Sequence, residues 1–437
     1  MKYEDAVAYI EECNSLGSVP GLTSIDSLTK ALGRPQDSLK FIHVAGTNGK
    51  GSVSAFIATA LREAKLKVGR YVSPTIFTYR ERFLINDRMI SKRELGELME
   101  ILKNACDMLT AEGNPHPTSF EIETALAFLY FQKKECDIVV LETGMGGALD
   151  ATNIIGAPLL CILTSISMDH MQFLGDTIEA ITLQKCGIIK EGTTVVSTKQ
   201  DKSAADVIEN FCKRKNAELL VADCSKASKV RAVLSKQSFS YNNIKYEIPL
   251  LGSYQIENAV LAITALKWLS QNGYAMLTDG VIQKGLLGTV WKGRFSVIGK
   301  KPYFIADGAH NVAAAEKLAE TIRFYFTNRR IVYIMGMFRD KEYEKVIRIT
   351  APLASQIITV AAPGNPRALP ALELAEAVRK VNSNVTNADS LEEAIEMSYL
   401  FADKDSVIIA FGSLAFLGKL MTIVEENGTI RSDTHGK

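Results

Sequence analysis

No two of the seven cysteines stand close enough to form a CxxC pair; they lie scattered at 13, 106, 136, 161, 186, 212 and 224. An odd number with no framework argues against a disulfide-stapled secreted domain and suits a reducing cytosol. Long apolar runs are missing too. The longest mostly apolar stretch, 154–163, is about half of what a membrane span needs. Residues 1–13 read as an amphipathic helix with Glu and Asp interspersed, without the basic flank and apolar centre of a secretory signal. Net charge is nearly absent: Lys+Arg 50 against Asp+Glu 49 leaves +1. No global field therefore favours nucleic acid or an anionic membrane, and an anionic ligand must be held by a few placed cations and backbone amides. There is no internal repeat and no low-complexity block. These absences point to a cytoplasmic protein with neither nucleic-acid nor membrane partners.

What is present suits a larger globular protein. At 437 residues, two domains are expected, and 47% hydrophobic with 23% charged residues is an ordinary soluble composition. The run 39–45 (LKFIHVA) is short, apolar and β-prone, and ends in a glycine-bearing turn. Beyond it Val53, Phe56, Ile57, Ala60 and Leu61 recur at the spacing of an amphipathic helix. Further buried-strand candidates are 137–141, 159–164, 194–198 and 219–222, with helical patterns at 94–109 and 121–131. Such alternation predicts a mainly parallel α/β sheet of P-loop type. The polar stretch 225–247 suggests a hairpin or edge element, and 255–270 a helix. A second strand series follows at 303–306, 331–335, 357–360 and 407–410, with a helix at 312–326, so a smaller Rossmann-like α/β domain is expected C-terminal to a boundary near residue 296. The polar stretch 425–437 reads as a frayed tail.

Gly46-Thr47-Asn48-Gly49-Lys50-Gly51-Ser52 joins the first strand to the first helix. Glycines let successive amides turn toward one anion, and the helix N-terminus adds its positive end. Lys50 supplies a mobile charge for terminal phosphates, and Ser52 a hydroxyl for Mg²⁺ or a phosphate oxygen. The spacing departs from GxxxxGK[ST], because a glycine stands between Lys50 and Ser52. A tight connection explains a glycine-rich turn by itself; the strand before it, and Lys with a hydroxyl at the helix entry, favour a nucleoside triphosphate.

Glu142 ends an apolar strand, at the carboxyl edge where ligands of open α/β sheets collect, and could hold the Mg²⁺ that accompanies ATP. A solvated strand-end Glu is the alternative; the adjoining 144–147 run (GMGG) favours function, since backbone there can approach a ligand closely. Asp169-His170 follows the next strand at a similar edge, one of only five histidines. A structural, hydrogen-bonded His and a ligand weigh about equally there. Lys185 precedes an apolar pair; a solvated lysine is the usual case, and a buried one would have a lowered pKa and a reactive amine.

Taken together, GTNGKGS (46–52), SFE (119–121), LETGMGGALDATN (141–153), MDH (168–170), QKCGIIK (184–190), GSYQIENA (252–259), WKGRF (291–295) and DGAHN (307–311) resemble the folylpolyglutamate synthase/dihydrofolate synthase family of the Mur ligase superfamily. The match runs in order over roughly residues 20–340. The resemblance implies an ATP-dependent ligase that joins L-glutamate to dihydropteroate, to folates, or to both through an acyl phosphate. It implies ATP phosphates on Gly49, Lys50, Gly51 and Ser52. It implies a first Mg²⁺ on Ser73 and Glu142 and a second on His170, with K⁺ as a further candidate cation. Lys185 would be carbamylated by CO₂, turning a cation into a carboxylate-like group that bridges metal and phosphate. Asn258, Arg294 and Asp307 would bind nucleotide, and His310 would face the chemistry and the incoming glutamate. Pro20, Gly21, Leu22, Thr118, Ser119, Phe120, Glu121, Leu149, Asp150 and Ala151 would line the pterin or folate pocket. Residues 1–296 would then carry ATP and folate, and 297–437 the glutamate side; splitting the site between domains would let closure exclude water from the acyl phosphate. Members of the family are usually monomers. Two departures bear on acceptor identity rather than reaction class: Thr75 stands where the family commonly has His, and Ser165-Ile166-Ser167 replaces a more usual Asn-Ile-Gly.

Two other readings compete. A peptidoglycan-type amino-acid ligase carries a UDP-sugar domain ahead of the ATP loop, and only 45 residues precede Gly46. A nucleotide-dependent switch would need the phosphate loop but neither Lys185, Arg294 nor DGAHN.

Overall fold

The computed structural model describes residues 1–14 and 21–434, with side chains as far as Glu426. Pro20 lies outside the described residues. The rest fall into two compact units, one of Met1–Lys229, Phe239–Ile248 and Ile256–Thr289, the other of Val230–Ser238, Pro249–Gln255 and Val290–Lys437.

The first unit is built on an eight-stranded sheet ordered Arg88–Met89, Phe83–Ile85, Val68–Tyr71, Ile138–Glu142, Phe41–Ala45, Leu160–Leu163, Thr194–Thr198, Glu218–Ala222. From Val68–Tyr71 onward all neighbours run parallel; the two short edge strands are antiparallel. Full burial of both faces explains why Phe41–Ala45 and Ile138–Glu142 read as mostly apolar runs, broken by His43 and ended by Glu142. Val68–Tyr71 is harder to read, since its sequence, Val-Gly-Arg-Tyr, carries a glycine and a charge. Gly69 is needed because a Cβ there would lie 2.9 Å from the Phe131 ring, and buried Arg70 is paired with Asp87 at 3.1 Å. On one face Tyr3–Asn14, Thr23–Ala31, Lys92–Ala111 and Ser119–Lys133 pack around Phe128, Phe131 and Leu102.

The stretch 225–247 becomes three strands, Ser228–Val233, Lys236–Tyr241 and Ile244–Ile248. Asn242 and Asn243, both at positive φ, make its second turn, as hairpins of this hand require.

The second unit holds a six-stranded sheet ordered Ser296–Lys300, Tyr303–Asp307, Val407–Phe411, Ile331–Met335, Gln356–Thr359, Val385–Asn387, parallel except for its first strand. Its segment Pro249–Gln255 is held by Gln237, whose Nε2 donates to the carbonyls of Leu250 (2.7 Å) and Gly252 (2.9 Å). The expected frayed tail is instead helix, since Leu414–Thr434 is one continuous element. Phe416, Leu417, Leu420 and Val424 give its first half a buried face, and the polar remainder propagates from that start. Among the described residues no helix is long and apolar enough to cross a membrane.

Helix Lys50–Glu63 packs against Asp279–Leu287 so closely that a Cβ at Gly285 would overlap the backbone of Ala60. Gly285→Ala is therefore expected to destabilise the first unit by about 1–3 kcal/mol, read as a lower midpoint in its thermal unfolding; an unchanged midpoint would show that the helices can separate without cost.

Candidate active site

Gly46 begins the loop at the carboxyl end of the central strand, with φ 153°. A Cβ here would overlap Thr164 Oγ1 on the neighbouring strand end, so only glycine lets the chain turn so close. Gly49, at φ 92°, caps helix Lys50–Glu63, and its α-carbon faces the amide of Asn258. The loop therefore ends at a helix N-terminus, whose first backbone N–H groups have no partner within the helix. Ser52 is buried in the first helical turn. The loop is stitched to the chain after Leu163: Thr47 N and Asn48 N donate to Ser165 O (2.8 and 3.3 Å), and Ser165 Oγ donates to Asn48 O (3.1 Å). Thr47 Oγ1 donates to Ser167 O and accepts from Ser167 N. Ser165 and Ser167 thus brace the loop that follows the central strand.

Two lysines converge on one atom of this loop. Lys50 Nζ donates to Gly46 O at 3.1 Å, and to Thr47 O at 3.3 Å. Lys185 Nζ donates to the same Gly46 O at 2.9 Å. Lys185 ends helix Ile178–Cys186 and is 3% exposed. Burial, with the charge of Lys50 second, lowers its pKa to about 7; Asp169 and Asp150 oppose the shift. The helix end is set by glycine packing. Gly187 overlies Ala148 without room for a Cβ, Ala148 N donates to Gln184 O (2.7 Å), and Asn153 Nδ2 donates to the carbonyls of Ala148 and Gly187 (both 3.1 Å).

Glu142 ends its strand opposite Val44 and is buried. Ser73 lies two residues beyond Tyr71, on the strand next to it, so the two are brought to one edge. A buried carboxylate and a hydroxyl are the hard oxygens that Mg²⁺ accepts beside phosphate oxygens, and this donor set fits it. Among the described residues no three His, Cys, Asp or Glu converge to hold a metal by themselves, so phosphate would have to complete the coordination. His170 reaches the same edge beyond Leu163 in a left-handed conformation (φ 53°), with its Nε2 3.9 Å from Asp169 Oδ2.

The folate-pocket candidates separate. Gly21 precedes helix Thr23–Ala31, and Leu22 is its N-cap. Thr118 and Glu121 form a capping box at the start of Ser119–Lys133, with Glu121 Oε2 accepting from Thr118 N and Oγ1, both at 2.8 Å. Ser119 Oγ donates to Asn14 Oδ1. Asp150 caps Ala151–Ile154, its carboxylate taking Met145 N (2.8 Å), Thr152 N (3.0 Å) and Thr152 Oγ1 (2.5 Å). Ala151 is buried. Burial raises the Asp150 pKa against those bonds. Phe120 packs over Gly144, where a Cβ would lie 2.5 Å from its ring, and Leu149 is 53% exposed.

In the second unit Asp307 ends a strand, fully buried, with burial raising its pKa and the Arg294 charge opposing. Its Oδ2 accepts from Phe295 N (2.7 Å) and Tyr254 Oη (3.4 Å), and Oδ1 from Ala309 N (2.8 Å). The first bond holds Phe295 at φ 44° and so aims Arg294, whose guanidinium lies over Gly308 where a Cβ would overlap it. His310 Nδ1 donates to Gly308 O (2.8 Å), so in the neutral ring Nε2 is the acceptor nitrogen. Asn311 caps the helix that follows. DGAHN is thus an anchor, a glycine beneath an arginine, an oriented histidine and a cap. Tyr254 stands in GSYQIENA, but its partner Asp307 is 53 residues away, so the pairing is not legible in sequence. Glu81, three residues after Thr78, has the spacing that is the signature of a capping box, the signal by which it could have been found.

The Mur ligase middle domain matches residues 44–266, and the Mur ligase glutamate ligase domain residues 293–414. The dihydrofolate synthase/folylpolyglutamate synthase of Bacillus subtilis is 36% identical over 425 residues, 96% of this chain and 98% of that protein. The structure of Mycobacterium tuberculosis folylpolyglutamate synthase complexed with ADP and AMPPCP superimposes with TM-score 0.88 at 28% identity, covering 97% of this chain and 99% of that one. That of E. coli FolC in complex with DHPP and ADP gives 0.83 at 25% identity, over 98% and 99%.

Because the folded pKa of Lys185 is about 7 and its ordinary value 10.5, the unfolded chain holds one more proton between those values. Stability should therefore rise with pH across that window, by up to about 1.4 kcal/mol per pH unit, and the slope should vanish in Lys185→Met. Equal slopes for both proteins in CO₂-free buffer would mean that Lys185 stays charged when folded.

Proposed function

The chain belongs to the Mur ligase superfamily, with the folylpolyglutamate and dihydrofolate synthases, and from that premise we propose which residues carry the reaction and which acceptors it takes. It is an ATP-dependent ligase that adds glutamate to folates. Residues 1–296 carry ATP and the pterin end, and 297–437 the glutamate side, in a cytoplasmic, monomeric enzyme. The observation that supports this reading is the pair of lysines on Gly46 O: two lysine side chains beside amides that open a helix form a place suited to negative charge.

Chemically the task is to activate a poor electrophile. An acceptor carboxylate oxygen attacks the γ-phosphorus of ATP, the bond to the β-phosphate oxygen breaks, and ADP leaves. The glutamate nitrogen then attacks the acyl carbon, loses a proton, and inorganic phosphate departs. Gly49 to Ser52 hold the phosphates through backbone N–H groups and the Ser52 hydroxyl, while Lys50 turns from the loop carbonyls to the spreading charge. Asn258 and Asp307 serve the nucleotide, Asp307 acting through the turn that aims Arg294. His310, with Nε2 as acceptor, serves the glutamate amine. A first Mg²⁺ on Ser73 and Glu142 and a second on His170, when bound, would supply charge neutralisation on the phosphates. Lys185 fits carbamate formation, since a buried amine with pKa about 7 is partly neutral at physiological pH and can add CO₂. Phe120, Leu149 and their neighbours receive the pterin ring.

The test is phosphate release with ATP, Mg²⁺ and glutamate on supplying dihydropteroate, tetrahydrofolate or a UDP-muramoyl peptide. Both pterin acceptors are expected to stimulate release. Tetrahydrofolate alone would restrict the enzyme to chain extension, and no stimulation by either would overturn the acceptor assignment. Arg294→Ala should lower kcat by about 10²–10³-fold, as for loss of one preorganised charge; a change confined to folate KM would remove Arg294 from the phosphate chemistry.

A further inference from the structure

Between strands Val68–Tyr71 and Phe83–Ile85 the chain leaves the sheet at its carboxyl edge and returns as residues 73–81, closed by Val72 N donating to Arg82 O at 3.3 Å. This excursion carries Ser73. It has little regular structure to satisfy its own amides: only Tyr79–Arg82 is helical, a single 3₁₀ turn. The amides turn instead to one side chain. Glu81 Oε2 accepts from Ile76 N (2.9 Å) and Phe77 N (3.2 Å), and Oε1 from Phe77 N and Thr78 N (both 3.2 Å). A single carboxylate thus gathers three successive N–H groups, the Thr78 bond being half of a capping box. One residue on, Arg82 Nη1 meets the buried Glu123 Oε2 at 3.3 Å, tying the foot of the excursion to the helix that begins at Ser119 and carries Phe120.

We infer that Glu81 is a positioning residue whose carboxylate, by gathering the Ile76, Phe77 and Thr78 amides, fixes the excursion that presents Ser73 to the metal and acceptor. The inference rests on the assignment of Ser73 above. A carboxylate suits the task because it offers only acceptors, about four lone pairs for three donors. An amide in its place keeps one acceptor oxygen and sets an NH₂ against backbone N–H groups. With alanine all three amides lose their partner, and the excursion is free to re-form around water, displacing Ser73.

The test compares Glu81→Ala, Glu81→Gln and Ser73→Ala with the unaltered enzyme. Three quantities are read: Mn²⁺ binding in the presence of ADP, from the EPR signal of the free ion; acceptor KM; and ADP affinity without metal. Glu81→Ala should weaken Mn²⁺ binding and raise acceptor KM at least fivefold each, with metal-free ADP affinity within twofold and Glu81→Gln intermediate. Unchanged Mn²⁺ binding and acceptor KM in Glu81→Ala, while Ser73→Ala weakens Mn²⁺ binding, would overturn the inference. So would an equal loss in all three quantities, which is the mark of general unfolding. If Ser73→Ala changes nothing, the assignment of Ser73 fails first and the inference with it. Should Glu81→Ala not fold, Glu81→Gln decides by the same criteria.

Discussion

The carbonyl oxygen of Gly46 accepts from both Lys50 and Lys185, and the first unit is arranged around that shared atom. Two ammonium groups on one oxygen, one of them buried, are unfavourable unless one loses its proton or an anion arrives. The low pKa of Lys185 is the first of these outcomes, and nucleotide phosphate or a carbamate would be the second. The geometry requires a chain that passes Thr164 with no Cβ, and a helix end held against residues 146–148 by Gly187 and Asn153. It also requires parallel strands that deliver loop, Glu142 and Thr164 to one edge. The two lysines are held on the loop carbonyl by the packing of the sheet and helices around them.

The second unit solves a related problem with a carboxylate. Asp307 is buried, and three donors with the nearby Arg294 charge oppose its desolvation, which still raises its pKa. Phe295 N lies just ahead of the neighbouring strand, Ala309 N in the turn after Asp307 and Tyr254 at a helix start, so the bonds that satisfy the carboxylate also fix the backbone beside Arg294 and His310. Glu81 repeats the device in the first unit, where an acceptor-only side chain replaces missing secondary structure. In each case a charged group near the chemistry organises backbone instead of facing solvent, so removing it would disturb neighbours that it never touches directly.

Much of this architecture was legible from the chain alone. Ile331–Met335 is buried on both faces and its apolar composition marks it, Thr194–Thr198 is marked by β-branched residues, and strand–helix alternation implies parallel pairing. Val68–Tyr71 escaped, because buried Arg70 and close-packed Gly69 are explained only by Asp87 and the Phe131 ring, distant in sequence. Thr118, Glu121 and Asp150 could be named as members of a motif, yet their side chains are occupied by helix caps, a local role that the same residues would also show.

Local chemistry determined the phosphate loop, the family resemblance and the two strand series, because glycine, lysine and apolar periodicity act over a few residues. Only the tertiary structure decided that Lys185 lies on Gly46, that Ser165 and Ser167 brace the loop, and that Asp307 supports Arg294. Each of those depends on burial and on which strand lies beside which, and burial sets both the pKa of an amine and the need of a carboxylate for donors.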